Sequence, residues 1–146
     1  MYKRPLGDIK YIVIHHSVTP DGFTVADIRR IHKNKGYSDI GYHFLITTEG
    51  LRVGRPAVYN GAHALSEKIS EGYMNYHGLG LCIIGDFSVD PPSPFQVNEA
   101  CYAIKRLCEK YSVPMDRKHV IPHYAVDYTA CPGKDTMKLI YRKLGI

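Results

Sequence analysis

The sequence lacks long apolar runs; its longest hydrophobic stretches, such as Tyr11 to Ile14, are four or five residues. A membrane-crossing helix needs about 20, so no membrane span is expected. No apolar segment follows the charged residues Lys3 and Arg4, so no signal peptide is read and synthesis in the cytoplasm is expected. Cysteine is scarce: Cys82, Cys101, Cys108 and Cys131 are the only four, and none forms a CxxC pair. They are too few and too irregularly placed for a disulfide scaffold, which points to a reducing compartment. Repeats, linkers and low-complexity tracts are also missing. The one proline-rich point, Asp90-Pro-Pro-Ser-Pro94, has the length of a loop, so the chain is read as a single domain.

What is present suffices for one packed core: 146 residues, 45% of them hydrophobic. Nineteen Lys and Arg against fourteen Asp and Glu leave a formal charge of +5, spread from Lys3 to Lys143. Such a surface favours anionic partners. With the charge scattered and no nucleic-acid motif present, nucleic acid is not read as one of them.

Hydrophobic patterning alternates between strands and helices. Lys10 to His16 is a β-branched apolar run that fits a buried strand. A helix is predicted from Thr24, with Asp27 three residues after the cap, to about Lys35. Tyr42 to Thr47 and Leu51 to Arg55 flank Thr48-Glu-Gly50 as a hairpin, and residues 56 to 79 read as irregular. Gly80 to Ile84 is a second buried strand. Ser93-Pro-Phe-Gln96 then combines a cap, a proline at the first helical position and a capping-box glutamine ahead of a long amphipathic helix. A short strand at Lys118 to Pro122 and a terminal helix at Asp135 to Leu144 follow. The expectation is an α/β fold with a central mixed sheet flanked by about three helices, because the hairpin forces an antiparallel pair.

Eight histidines carry the chemical signal, since neutral imidazole is the commonest metal ligand. Catalytic zinc sites hold three protein ligands and leave one position open. His123 and Cys131 are separated by seven residues able to loop back, and His15 or His16, at a strand end, can supply a third ligand. Strand alternation says that these two cannot both point into one site, without choosing between them. Cys131-Pro-Gly133 has turn chemistry, which separates it from a core cysteine. Cys101 and Cys108 share the apolar helix face and are read as core, as is Cys82. His32 and His119, flanked by lysines, are read as solvated. His43 is read as facing away from Tyr42.

Five segments carry a resemblance: Ile12-Val-Ile-His15-His16-Ser17, Gly41-Tyr42-His43-Phe44, Gly61-Ala62-His63, Ile83-Ile-Gly85-Asp-Phe87 and His123 through Cys131-Pro132-Gly133. In order and spacing the chain resembles the zinc-dependent N-acetylmuramoyl-L-alanine amidases, a superfamily that includes phage lysozyme-amidases and peptidoglycan recognition proteins. The likeness spans about positions 10 to 145, so residues 1–146 are expected to be one catalytic domain without a separate cell-wall-binding domain.

The resemblance implies one zinc ion on His15, His123 and Cys131, and a catalytic role for Tyr42. It also implies hydrolysis of the amide between the lactyl group of N-acetylmuramic acid and L-alanine in peptidoglycan. Two residues before the ligand cysteine, phage members carry Lys and many recognition-type amidases Thr; Thr129 stands here, implied to orient the substrate as a neutral donor. His63 and Asn75 are expected to bind substrate. The loop before the second buried strand departs from the family, with Gly78 where Ser is usual. The paired cysteines of animal recognition proteins near the first helix are missing, which fits a bacterial or phage origin. A monomer acting on muropeptides is expected, with release to the wall as a phage lysin among its settings. The rival reading is a peptidoglycan-binding module that does not cut, against which the presence of His123, Cys131 and Tyr42 argues.

Overall fold

The β-branched run at the start of the chain forms strand β1, Tyr11–His16, with five of its six residues buried. In the computed structural model, which describes residues 1–146, the elements that follow are helix α1 (Val25–Asn34), strands β2 (Phe44–Thr47) and β3 (Gly50–Val53), and helix α2 (Tyr73–His77). Strand β4 (Gly78–Ile83), helix α3 (Pro94–Tyr111), strand β5 (Val120–Pro122) and helix α4 (Lys134–Leu144) complete the order. The sheet runs β3-β2-β4-β1-β5. β1 lies parallel to β4 and β5, β2 is parallel to β4, and only the β2–β3 hairpin is antiparallel. The expected mixed α/β sheet is present.

Alternation along the central strands divides the core. Ile12, Ile14, Leu79, Leu81 and Ile83 pack beneath α3 and α4, meeting Ala100, Ile104 and Ile140. Each isoleucine fully buried there contributes about 1.5–3 kcal/mol. Val13 packs on the opposite face with Met74 and Ile121, and Leu45 and Cys82 meet Ile28 of α1 there. Cys82, Cys101 and Cys108 are buried, as read from the sequence. The long helices start where capping chemistry placed them. Thr24 accepts from the Asp27 amide and Ser93 from that of Gln96, each completing a reciprocal capping box.

Several expectations are corrected. The helices number four, because Tyr73–His77, within the stretch read as irregular, forms the short α2 and runs directly into β4 at Gly78. Five residues are too short for helical periodicity to register. The hairpin turn is the pair Thr48-Glu49, with Gly50 already opposite Thr47 at φ +115°, a backbone region that suits glycine. His32 is buried rather than solvated, its Nδ1 accepting the Gly41 N–H at 2.8 Å. Residues 42 and 43 precede the regular strand, so strand alternation does not place His43, which is buried with its ring 5.6 Å from that of His63.

Burial pushes His32 down to about 4 and His43 down to about 3, so both are neutral in the folded protein near neutral pH. In the unfolded chain each takes up a proton near 6.5. Below that pH the unfolded state binds more protons, so stability falls as pH drops from 6.5 toward 4. Thermal melts across this range are expected to show a declining midpoint. His32→Gln, which keeps an acceptor for the Gly41 amide, is expected to flatten the decline.

Candidate active site

The end of β1 sends two adjacent histidines to opposite faces. His16 points toward the loop after β4, where its Nδ1 accepts the Phe87 N–H at 3.0 Å and its ring packs 5.5 Å from that of Phe87. His15 points the other way, into the loops at the C-terminal edge of the sheet. His123 follows β5 in a 3-10 turn, His123–Ala125. Cys131 lies beyond it in a loop that the Tyr124 N–H closes onto the Cys131 carbonyl at 3.0 Å. One ligand atom from each of His15, His123 and Cys131 falls within 4.8 Å of the others. The alternative left open by sequence pattern is thereby resolved geometrically: His15, not His16, shares the cluster.

These donors fit a zinc ion. With Zn–N near 2.0 Å and Zn–S near 2.3 Å, tetrahedral ligands sit about 3.3 to 3.8 Å apart; Cys131 Sγ and His15 Nδ1 are 4.0 Å apart. Both rings commit Nε2 to a neighbour: His15 Nε2 lies 2.9 Å from His63 Nδ1, and His123 Nε2 lies 2.7 Å from Asp127 Oδ2. Nδ1 is therefore the nitrogen each has free for a metal, and a partner on the other nitrogen is the usual setting of a ligating histidine. Burial, with neighbouring imidazoles, holds His15 well below its ordinary value. Burial lowers His123 too, although Asp127 opposes it. Neutral rings can ligate. Burial pushes the Cys131 thiol up to about 12, against the hydrogen bond it accepts from the His16 N–H at 3.3 Å, so ligation there must release a proton.

Of the cluster, His123 lines a cleft of about 450 Å³. Tyr42, His63, Asn75 and Thr129 all line it. The Tyr42 ring lies between those of His15, at 5.1 Å, and His32, at 5.2 Å. Burial holds its hydroxyl well above the ordinary tyrosine value, so it remains a donor near neutral pH. Thr129 is exposed, and its Oγ1 accepts the Cys131 N–H at 3.2 Å, which leaves its own hydrogen to donate into the cleft. Asn75 Oδ1 accepts from the His63 and Ala64 amides at 2.7 and 2.9 Å. His63 fits because two glycines make room: a Cβ at Gly61 would stand 2.4 Å from its ring, and one at Gly80 2.7 Å.

Buried Arg55 fixes this end of the fold by donating to the carbonyls of Ile40 at 2.9 Å, Asn60 at 2.9 Å and Asp39 at 3.1 Å. It thus ties the segment before Tyr42 to the one before His63. Sequence reasoning missed Arg55, His32 and Asp127. Only Asp127 left a signal, its position four residues after His123 in a segment bent by turn chemistry.

A mixed sheet of this topology is shared with solved amidases and recognition proteins. The N-acetylmuramoyl-L-alanine amidase LysC from Clostridium intestinale URNW superposes with a TM-score of 0.80 at 28% identity, covering 100% of this chain and 93% of that one. Bumblebee PGRP-SA superposes with a TM-score of 0.77 at 30% identity, covering 94% and 83%. Among curated sequences, the endolysin of Klebsiella phage KP32 is 30% identical over 85% of this chain and 80% of its own. Peptidoglycan-recognition protein 2 of Holotrichia diomphalia is 28% identical over 93% of this chain and 71% of its own. The N-acetylmuramoyl-L-alanine amidase family model matches residues 5–134, and the chain belongs to that family.

Proposed function

We propose that this chain is a zinc-dependent hydrolase of the amide bond joining N-acetylmuramic acid to L-alanine in peptidoglycan. The observation that carries the reading is the convergence of two neutral imidazoles and one thiol, with His123 lining the same cleft as Tyr42. Zinc bound there supplies a Lewis acid that polarises the amide carbonyl and makes water nucleophilic near neutral pH.

The chain's own groups do the rest. His15, His123 and Cys131 hold the ion. Tyr42 donates its hydroxyl hydrogen to the oxygen that gains charge as the carbonyl is attacked. Thr129 donates a second hydrogen bond; being neutral, it leaves more of the charge stabilisation to the metal than a lysine would. His63 and Asn75 line the cleft as substrate-contacting residues, and the basic surface favours approach to anionic wall polymers. No helix is long and apolar enough to cross a membrane.

Chelation tests the reading. A protein stripped of metal is expected to lose wall-lytic activity and regain it with one equivalent of zinc, whereas a module that only binds peptidoglycan would pull down walls equally well in both states and release nothing. Thr129→Ala is expected to keep zinc and lose about 10- to 10³-fold in kcat/KM, the worth of one donor to a developing oxyanion. Turnover equal to wild type would leave the charge to zinc and Tyr42 alone.

A further inference from the structure

Asp127 is buried, with 4% of its surface exposed, and its two oxygens serve two different structures. Oδ2 lies 2.7 Å from His123 Nε2, and Oδ1 accepts the Glu67 N–H at 2.9 Å. Glu67 belongs to a loop that walls the cleft together with Leu65. That loop docks on the segment carrying His123 and Asp127 through further bonds. The Lys68 N–H donates to the Val126 carbonyl at 3.0 Å, and Lys68 Nζ donates to the Tyr124 carbonyl at 3.0 Å. At its base Ser66 is fully buried at φ +63°, a region costly for a residue with a side chain, and its Oγ accepts the Met74 N–H at 2.9 Å.

We propose that Asp127 is the positioning residue of this site: it holds His123 in the tautomer that presents Nδ1 to the metal and, through its other oxygen, pins the Leu65–Lys68 wall. Metal affinity and order in the cleft wall are therefore set by one side chain. The inference rests on the reading of His123 as a metal ligand. Only a carboxylate can do both jobs, because each oxygen meets a separate N–H donor. Asparagine supplies one acceptor oxygen and turns an NH2 group toward the other donor, so one of the two bonds must fail.

The test compares wild type, Asp127→Asn and Asp127→Glu. The zinc Kd is measured by competition with a chromophoric chelator, and amide exchange at Glu67 is followed with and without zinc. Asp127→Asn is expected to bind zinc about 10- to 100-fold more weakly, the usual cost of losing a partner behind a ligating histidine. Its Glu67 amide should exchange faster, and Asp127→Glu should recover part of both losses. In the wild type, zinc is expected to slow Glu67 exchange. Zinc affinity unchanged in Asp127→Asn, even with a looser wall, would reduce Asp127 to a loop anchor and overturn the proposal. Should Asp127→Asn fail to fold, long-range nitrogen–proton NMR of the zinc-loaded wild type decides instead: the proposal requires His123 protonated on Nε2, and protonation on Nδ1 refutes it. A wild type that binds no zinc would refute the metal-site reading itself, separately from these outcomes.

Discussion

Cys131→Ser is expected to abolish tight zinc binding, with a loss of affinity greater than the roughly 10- to 100-fold that follows from disturbing a residue behind the ligands. Serine matches the size of cysteine, so the loop that the Tyr124 N–H closes should persist. Its hydroxyl does not ionise near neutral pH, however, and the ion would lose its only anionic protein ligand. Wall-lytic activity should vanish with the metal. His16→Ala is the matched control. It removes the neighbouring imidazole, which bonds Phe87, while keeping the backbone N–H that donates to Cys131 Sγ. Metal analysis of the purified proteins should give one zinc per chain in wild type and in His16→Ala, and substoichiometric metal in Cys131→Ser. Full zinc content in Cys131→Ser would remove the thiol from the ligand set.

The second large effect is expected at Tyr42. Tyr42→Phe keeps the ring between His15 and His32, so fold and zinc content should match wild type. The hydroxyl is lost, and with it a donor that burial keeps protonated. A fall in kcat of about 10²-fold or more is expected, the scale of removing one positioned donor from an oxyanion or proton-transfer site. In free energy this is about 2.7 kcal/mol of transition-state stabilisation. Unchanged turnover in the zinc-loaded variant would return Tyr42 to a packing role.

The parts of this fold legible in the sequence are those whose signals are local. The apolar run at β1 and the capping boxes at Thr24 and Ser93 depend on residues within a few positions of one another, and they appear where expected. The short α2 depends on docking against the sheet, which leaves no periodic trace in five residues. The site divides in the same way. Residue type makes His123 and Cys131 candidates and the family resemblance selects them, whereas strand pattern alone cannot choose His15 over His16 without knowing which face of β1 meets the loops. The burial of His32 and His43 escapes the sequence because flanking lysines and strand alternation describe neighbours along the chain. The atoms that bury these rings come from Gly41, Gly80 and His63. Asp127 and Arg55 work by joining segments far apart in sequence, 60 residues in the case of Asp127 and Glu67. Beyond the four-residue spacing of Asp127 from His123, such pairings have no signature in a single chain.

The mass of the released products shows which bond is cut. Purified peptidoglycan is digested with the zinc-loaded protein, and the soluble and insoluble fractions are analysed by mass spectrometry. Cleavage of the proposed amide releases stem peptides with a free L-alanine amino terminus and leaves glycan strands whose N-acetylmuramic acid carries a free lactyl carboxylate. Release of disaccharides still bearing their peptides, or of peptides cut within the stem, or of no product at all from a fully zinc-loaded protein, would contradict it.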